Sequence, residues 1–116
     1  MLIKVDHIDV RVPDLAKTVA FFETTGLRVL RSNEARKSVE MAVPGDTVVF
    51  EIREDATLEK SFVHHVAFKA DDIAKETGEL KERGLNFTRE LALIEDTGRT
   101  ISYFNDPGEG IWQLID

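Results

Sequence analysis

Two of the chain's three histidines stand side by side, in the stretch VHHVAFKADD that begins at Val63, and the third is His7. An imidazole titrates near neutral pH, so it can ligate a metal ion or carry a proton. These are therefore the side chains with the widest chemical scope in a chain that has no cysteine. Without thiols there are no disulfides, no thiolate metal centre and no cysteine nucleophile. On a strand, successive side chains point to opposite faces, so His64 and His65 cannot share a role.

What must position them emerges from an internal repeat. An offset of 58 residues sets VDHIDVRVPDLAK, from Val5, against VHHVAFKADDIAK, from Val63. In that register His7 meets His65, Asp14 meets Asp72, and Ala16 and Lys17 meet Ala74 and Lys75. Farther on, Gly26, Leu27 and Arg31 meet Gly84, Leu85 and Arg89. Shared strand and helix patterning does not explain matched histidines, so the halves, residues 1–57 and 58–116, read as pseudo-repeats of one domain.

Each half has the same local grammar. HIDVRV alternates, with Ile8, Val10 and Val12 on one face and His7, Asp9 and Arg11 on the other. HVAFKA repeats the split, with Val66 and Phe68 opposed to His65, Ala67 and Lys69. Asp14 and Asp72 are good helix N-caps, and Gly26 and Gly84 sit where a left-handed helix end belongs. Three extended segments follow each helix: LRVLRS, SVEMAV and VVFEIRE, then LNFTRE, TISYFND and GIWQLID. The turns PGD and PGE precede the last strand of each half. The expected fold is α+β, two tandem βαβββ units forming a curled eight-stranded mixed sheet with the helices on its convex face. A helix can cover only one face of each sheet, so the other curls into a cup. Parity places Glu51 in that cup with Val49 and Arg53, and Gln113 with Ile111 and Ile115. Trp112, Leu114 and Phe104 belong to the core. Two related pairs, His7 with Glu51 and His65 with Gln113, face the cup, whereas His64 lies on the helix side or at the strand's edge.

Composition narrows the function. Fifteen basic against 22 acidic residues give a formal charge of −7, which repels phosphate backbones and anionic lipid headgroups. Nucleic acid and membrane surfaces are poor partners for such a chain. No segment approaches the roughly 20 apolar residues of a membrane span, and MLIKVDHIDV lacks a signal peptide's apolar run. A soluble, cytoplasmic protein with a small-molecule substrate is expected.

The stretches DHIDVRVPDLAKTVAFFETTGLRVL, VVFEI, HHVAFKADDIA and YFNDPGEGIWQLI resemble the vicinal oxygen chelate superfamily. Its members include glyoxalase I, methylmalonyl-CoA epimerase, extradiol dioxygenases, and fosfomycin- and bleomycin-resistance proteins. The resemblance covers essentially the whole chain and implies the glyoxalase-like fold. It also implies metal ligands at His7, Glu51, His65 and Gln113, with an amide at the last position where glutamate is usual. Two imidazoles, a carboxylate and an amide oxygen leave two octahedral positions open, which suits a substrate with adjacent oxygens. With no thiolate, the ion is zinc, nickel, cobalt, manganese or iron(II).

The activity so implied is a metal-dependent lyase or isomerase of the glyoxalase type, working through an enolate with Glu51 as catalytic base. Arg11, Lys69 and Arg99 are the candidate substrate-binding cations. Asp55 and the acidic loop LALIEDTGRT disfavour glutathione. The rival readings are a non-catalytic drug-binding protein of the bleomycin-resistance type and an iron(II) ring-cleaving dioxygenase. Open sheet edges predict a homodimer.

Overall fold

The computed structural model describes residues 1–116. The elements run β1 (Leu2–Val12), α1 (Leu15–Thr24), β2 (Arg28–Asn33), β3 (Ser38–Ala42), β4 (Val49–Glu54), β5 (Phe62–Ala70), α2 (Ile73–Glu82), β6 (Asn86–Ile94), β7 (Arg99–Asn105) and β8 (Ile111–Ile115). This is the expected βαβββ order, twice. The chain divides into two compact units: a first of His7–His64, and a second of Met1–Asp6 with His65–Asp116.

In the first unit the strand order is β2-β3-β4-β1. β1 pairs parallel with β4, and the other pairings are antiparallel. Asp14 caps α1 by accepting the Lys17 N–H at 3.0 Å, and Glu54 accepts the Leu15 N–H at 3.1 Å. Two of the helix's orphan donors are thereby satisfied. Gly26, at φ +102°, ends the helix, and Leu27 N–H closes back on Phe22. Leu15, Val19 and Phe22 then pack on Val10, Val12, Met41 and Ile52. Full burial of side chains such as Met41 and Ile52 stabilises by about 1.5–3 kcal/mol each.

The second unit repeats the plan, in the order β5-β8-β7-β6 with β5 and β8 parallel. Asp72 caps α2, and Gly84 ends it at φ +97°. Ile73 and Leu80 pack on Ala70, Leu114, Phe68, Phe87 and Phe104. Trp112 stacks on Phe68 with ring centroids 5.9 Å apart. The opposite face carries a separate cluster of Ala67, Ile101 and Ile115 with Ala92, Ile94 and Tyr103. Leu114 and Ile115 thus join different clusters, as the period of a strand requires.

One segment departs from its sequence pattern. Residues 91–94, expected in a loop, continue β6, and the turn comes only at 95–98. A register shift between Arg89 and Ala92 inserts a bulge, with Leu91 at φ +47°. The buried Ser102 hydroxyl accepts the Leu91 N–H at 3.0 Å and shares a hydrogen bond with Thr77. That pairing past the bulge lets Ala92 and Ile94, both partly buried, pack against Ala67, Ile101 and Ile115, a tertiary gain invisible in the local sequence.

The turn before β8 is organised by Asp106. Its carboxylate accepts from Gly108 N at 2.7 Å, Gly110 N at 3.1 Å and the Trp112 indole at 2.7 Å. The Trp112 bond, foremost, with the two backbone donors holds the carboxyl below its ordinary pKa. A depressed acid stabilises the fold above its unfolded pKa and loses that contribution as pH falls through the folded value. The melting-temperature gap between wild type and Asp106→Asn should therefore be constant above about pH 5 and shrink below about pH 4. A gap that widens on acidification would contradict this arrangement.

Candidate functional site

On the face of the first unit that α1 leaves uncovered, β1 presents His7, Asp9 and Arg11. In parallel register with them β4 presents Val49, Glu51 and Arg53. β3 adds Ser38 opposite Arg53 and Glu40 opposite Glu51. His7 and Asp9 are only 8% and 3% exposed. The His7 imidazole (Nε2) stands 3.9 Å from a Glu51 carboxylate oxygen. The other Glu51 oxygen is 3.9 Å from the Arg36 guanidinium. Arg36 lies in the turn between β2 and β3, where the Asn33 side chain accepts its N–H at 3.1 Å.

Burial, and then the neighbouring Asp9 carboxylate, push the Glu51 carboxyl above its ordinary pKa, against the opposing pull of His7 and Arg36. Asp9 is itself bound by Arg11, whose Nε donates at 2.6 Å. His64 does not lie on the helix side. A ligand-capable atom of its ring is within 4.8 Å of one on Asp9. Burial, followed by the charge of Arg11, lowers its pKa.

In the second unit, β5 and β8 place His65 opposite Ile111, Ala67 opposite Gln113 and Lys69 opposite Ile115. His65 and Gln113 are each 4% exposed. Tyr103, the β7 partner of Gln113, meets the His65 ring edge to face at 5.4 Å. The amide oxygen of Gln113 is buried and accepts no hydrogen bond. Such an atom carries a desolvation cost unless a cation or donor meets it. Arg99 holds both oxygens of Asp6, at 3.0 and 3.2 Å, and the Asp116 carbonyl at 2.8 Å.

The sequence-predicted residues therefore sort into groups. His7 and Glu51 come together within one unit; His65 and Gln113 lie on neighbouring strands of the other. Arg11 and Arg99 face carboxylates of the chain itself. Asp9, His64 and Arg36 are the residues that the sequence reading left without a role. Parity already set Asp9 beside His7, but nothing in the sequence shows that the turn folds Arg36 towards Glu51.

A family model described as Glyoxalase/Bleomycin resistance protein/Dioxygenase superfamily matches residues 4–114. No functionally curated protein matches the chain by sequence. Among solved structures, methylmalonyl-CoA epimerase from Mycobacterium tuberculosis superposes with a TM-score of 0.81 at 17% identity, covering 98% of this chain and 87% of that one. A variant of the Streptomyces coelicolor methylmalonyl-CoA epimerase in complex with 2-nitronate-propionyl-CoA gives 0.75 at 20% identity, covering 99% and 97%. A hypothetical protein from Bacillus halodurans gives 0.76 at 16% identity, covering 97% and 92%. At these identities the likeness is one of fold.

Proposed function

The chain belongs to the glyoxalase/bleomycin resistance/dioxygenase superfamily, and from that membership we propose that it is a metal-dependent isomerase or lyase acting on a small oxygen-chelating substrate through an enolate. The donors proposed for a divalent ion are the His7–Glu51 and His65–Gln113 pairs. The observation that carries this reading is the Gln113 amide oxygen, buried without a hydrogen-bond donor. The donor set of imidazole, carboxylate and amide oxygen fits zinc, nickel, cobalt, manganese or iron(II). When bound, such an ion supplies Lewis-acid polarisation of a substrate carbonyl.

Glu51 does the proton work. Its partly desolvated carboxylate accepts the proton from the carbon beside the carbonyl; the C–H electron pair moves into the carbonyl to give the enolate, and the same carboxyl delivers the proton to the former carbonyl carbon, so that the carbonyl passes to the neighbouring carbon when that carbon bears a hydroxyl. His7 orients the carboxylate from one side. The epimerase structures of the same fold support an isomerase, since epimerisation is proton transfer at such a carbon.

The deciding experiment combines metal analysis of protein purified without added metal or chelator with solvent-deuterium exchange into methylmalonyl-CoA and into a 2-oxo hemithioacetal. A stoichiometric divalent ion and exchange into either substrate support the proposal. No bound metal and no affinity for added divalent ions would sink it and favour a drug-binding protein. Iron with catechol cleavage would favour a dioxygenase.

A homodimer is part of the same proposal. The edge strands β2 and β6 carry exposed Val29, Leu30 and Leu93, apolar side chains that a second copy would cover. Light scattering at micromolar concentration should give twice the chain mass of 13.1 kDa; a monomer would count against it.

A further inference from the structure

The two ends of β8 are finished differently on the face that carries Gln113. Ile111, Gln113 and Ile115 share that face at intervals of two residues. Towards one end, Ile115 is 5% exposed and buried with Ala67 and Ile101, and Ala92, Ile94 and Tyr103 pack against them. The chain itself fills that end. Towards the other, Ile111 is 36% exposed. It lies opposite His65 on β5 and Asn105 on β7, and diagonal to Tyr103, within reach of an aromatic side chain. Between the filled end and the open one sits the Gln113 amide oxygen, buried and accepting no hydrogen bond.

The charges of this unit are placed away from the open end. Lys69 is level with Ile115, and Arg99, two residues past Ile101, is held by Asp6 and Asp116. Arg89 pairs with Tyr103 from the outer strand β6 and is exposed. The carboxylates nearest Ile111 in the chain belong to the preceding turn, where Asp106 already accepts from Gly108, Gly110 and Trp112.

We infer that Ile111 and Tyr103 form an apolar subsite beside the Gln113 donor, and that the substrate is an oxygen-chelating compound whose substituent on that side is an uncharged aliphatic chain. Two residues along a strand span about 7 Å, the reach of about four carbons from a chelated carbonyl. An aliphatic chain gains by covering isoleucine and phenol-ring surface, whereas a charged end would leave water with no counter-ion to meet it.

This inference rests on the proposed metal-dependent reading, and a set of hydroxamates separates the two. Acetohydroxamate, pentanohydroxamate, succinomonohydroxamate and 4-aminobutanohydroxamate chelate through the same two oxygens, and the last three have chains of similar length ending in a methyl, a carboxylate and an ammonium. In calorimetric titration of cobalt(II)-loaded protein, with the visible spectrum of the ion reporting chelation, pentanohydroxamate should bind about tenfold more tightly than acetohydroxamate. A fully buried methylene is worth roughly fourfold, and this wall is partly open. The two charged probes should show no more than about a threefold gain. Ile111→Ser should reduce the chain-length preference to about twofold, and Ile111→Leu should keep it. Val43→Ser, which removes an exposed apolar side chain of the first unit, controls for surface hydrophobicity and should leave the preference at its wild-type value.

Equal chelation of all four probes overturns the subsite while leaving the proposed function standing. So does tighter binding of either charged probe than of pentanohydroxamate, or a preference that survives in Ile111→Ser, including the case where that variant instead loses a dimer by light scattering. Failure to take up cobalt, or to chelate any of the probes, overturns the proposed function and the subsite with it.

Discussion

Glu51→Gln should lower the rate of substrate proton exchange by about a thousandfold, within the range that a positioned base contributes, while leaving the folded protein intact. The replacement is isosteric and keeps one oxygen, but an amide cannot accept a proton usefully. A second readout gives this prediction its discriminating power. Burial and the Asp9 carboxylate raise the folded-state pKa of Glu51. A raised acid favours folding fully below its unfolded pKa, and that contribution is lost as pH rises through the folded value. At neutral pH the charged carboxylate therefore burdens the metal-free fold, and the amide removes the burden. Metal-stripped Glu51→Gln should melt at or above the wild-type temperature at pH 7, and the gap should close towards pH 4. Loss of activity with gain of stability marks a side chain kept for chemistry. A variant that retains wild-type exchange places the base elsewhere, with His64, close to Asp9, next to be tested.

The fold was legible because its evidence was periodic. A strand repeats every two residues and a helix every 3.6, so the alternation of HIDVRV, the caps Asp14 and Asp72 and the helix-ending Gly26 and Gly84 could be read locally. The 58-residue repeat then doubled every such inference. Parity also set Glu51 on the face of His7, and Gln113 on the face of His65, because the ladders joining β1 to β4 and β5 to β8 are regular. Where regularity fails, so did the reading. The bulge at Leu91 carries β6 through residues expected to be loop, held by Ser102 eleven positions away in sequence.

Charge partners were the least legible feature. Arg11 parity-matches a binding cation, yet Asp9 claims it from the same strand; Arg99 is claimed by Asp6 from the other end of the chain. Sequence reports which charges exist on a face. It does not report which of them are already neutralised, and that decides which remain for a ligand.

Gln113 and Leu114, adjacent on β8, should respond to truncation in opposite ways. Leu114 is fully buried against Ala70 and Ile73, with Phe68, Leu80, Phe87 and Phe104 around it, so Leu114→Ala should cost about 2–5 kcal/mol through lost contacts and a residual cavity. Its effect on metal affinity should be small in protein that remains folded. Gln113→Leu keeps the volume and removes a buried amide oxygen that accepts no hydrogen bond. Leaving such a group unsatisfied costs roughly 1–3 kcal/mol, so the metal-free variant should be as stable as wild type or more so. Divalent-ion affinity should fall at least about tenfold, because the neutral oxygen donor is gone. Denaturant unfolding and metal titration of the two variants make the comparison. If Gln113→Leu unfolds more easily and binds metal normally, the amide serves the fold through a partner such as an ordered water. If Leu114→Ala alone loses the metal, the face assigned to β8 is reversed by one residue, and the donor pair with His65 is withdrawn with it.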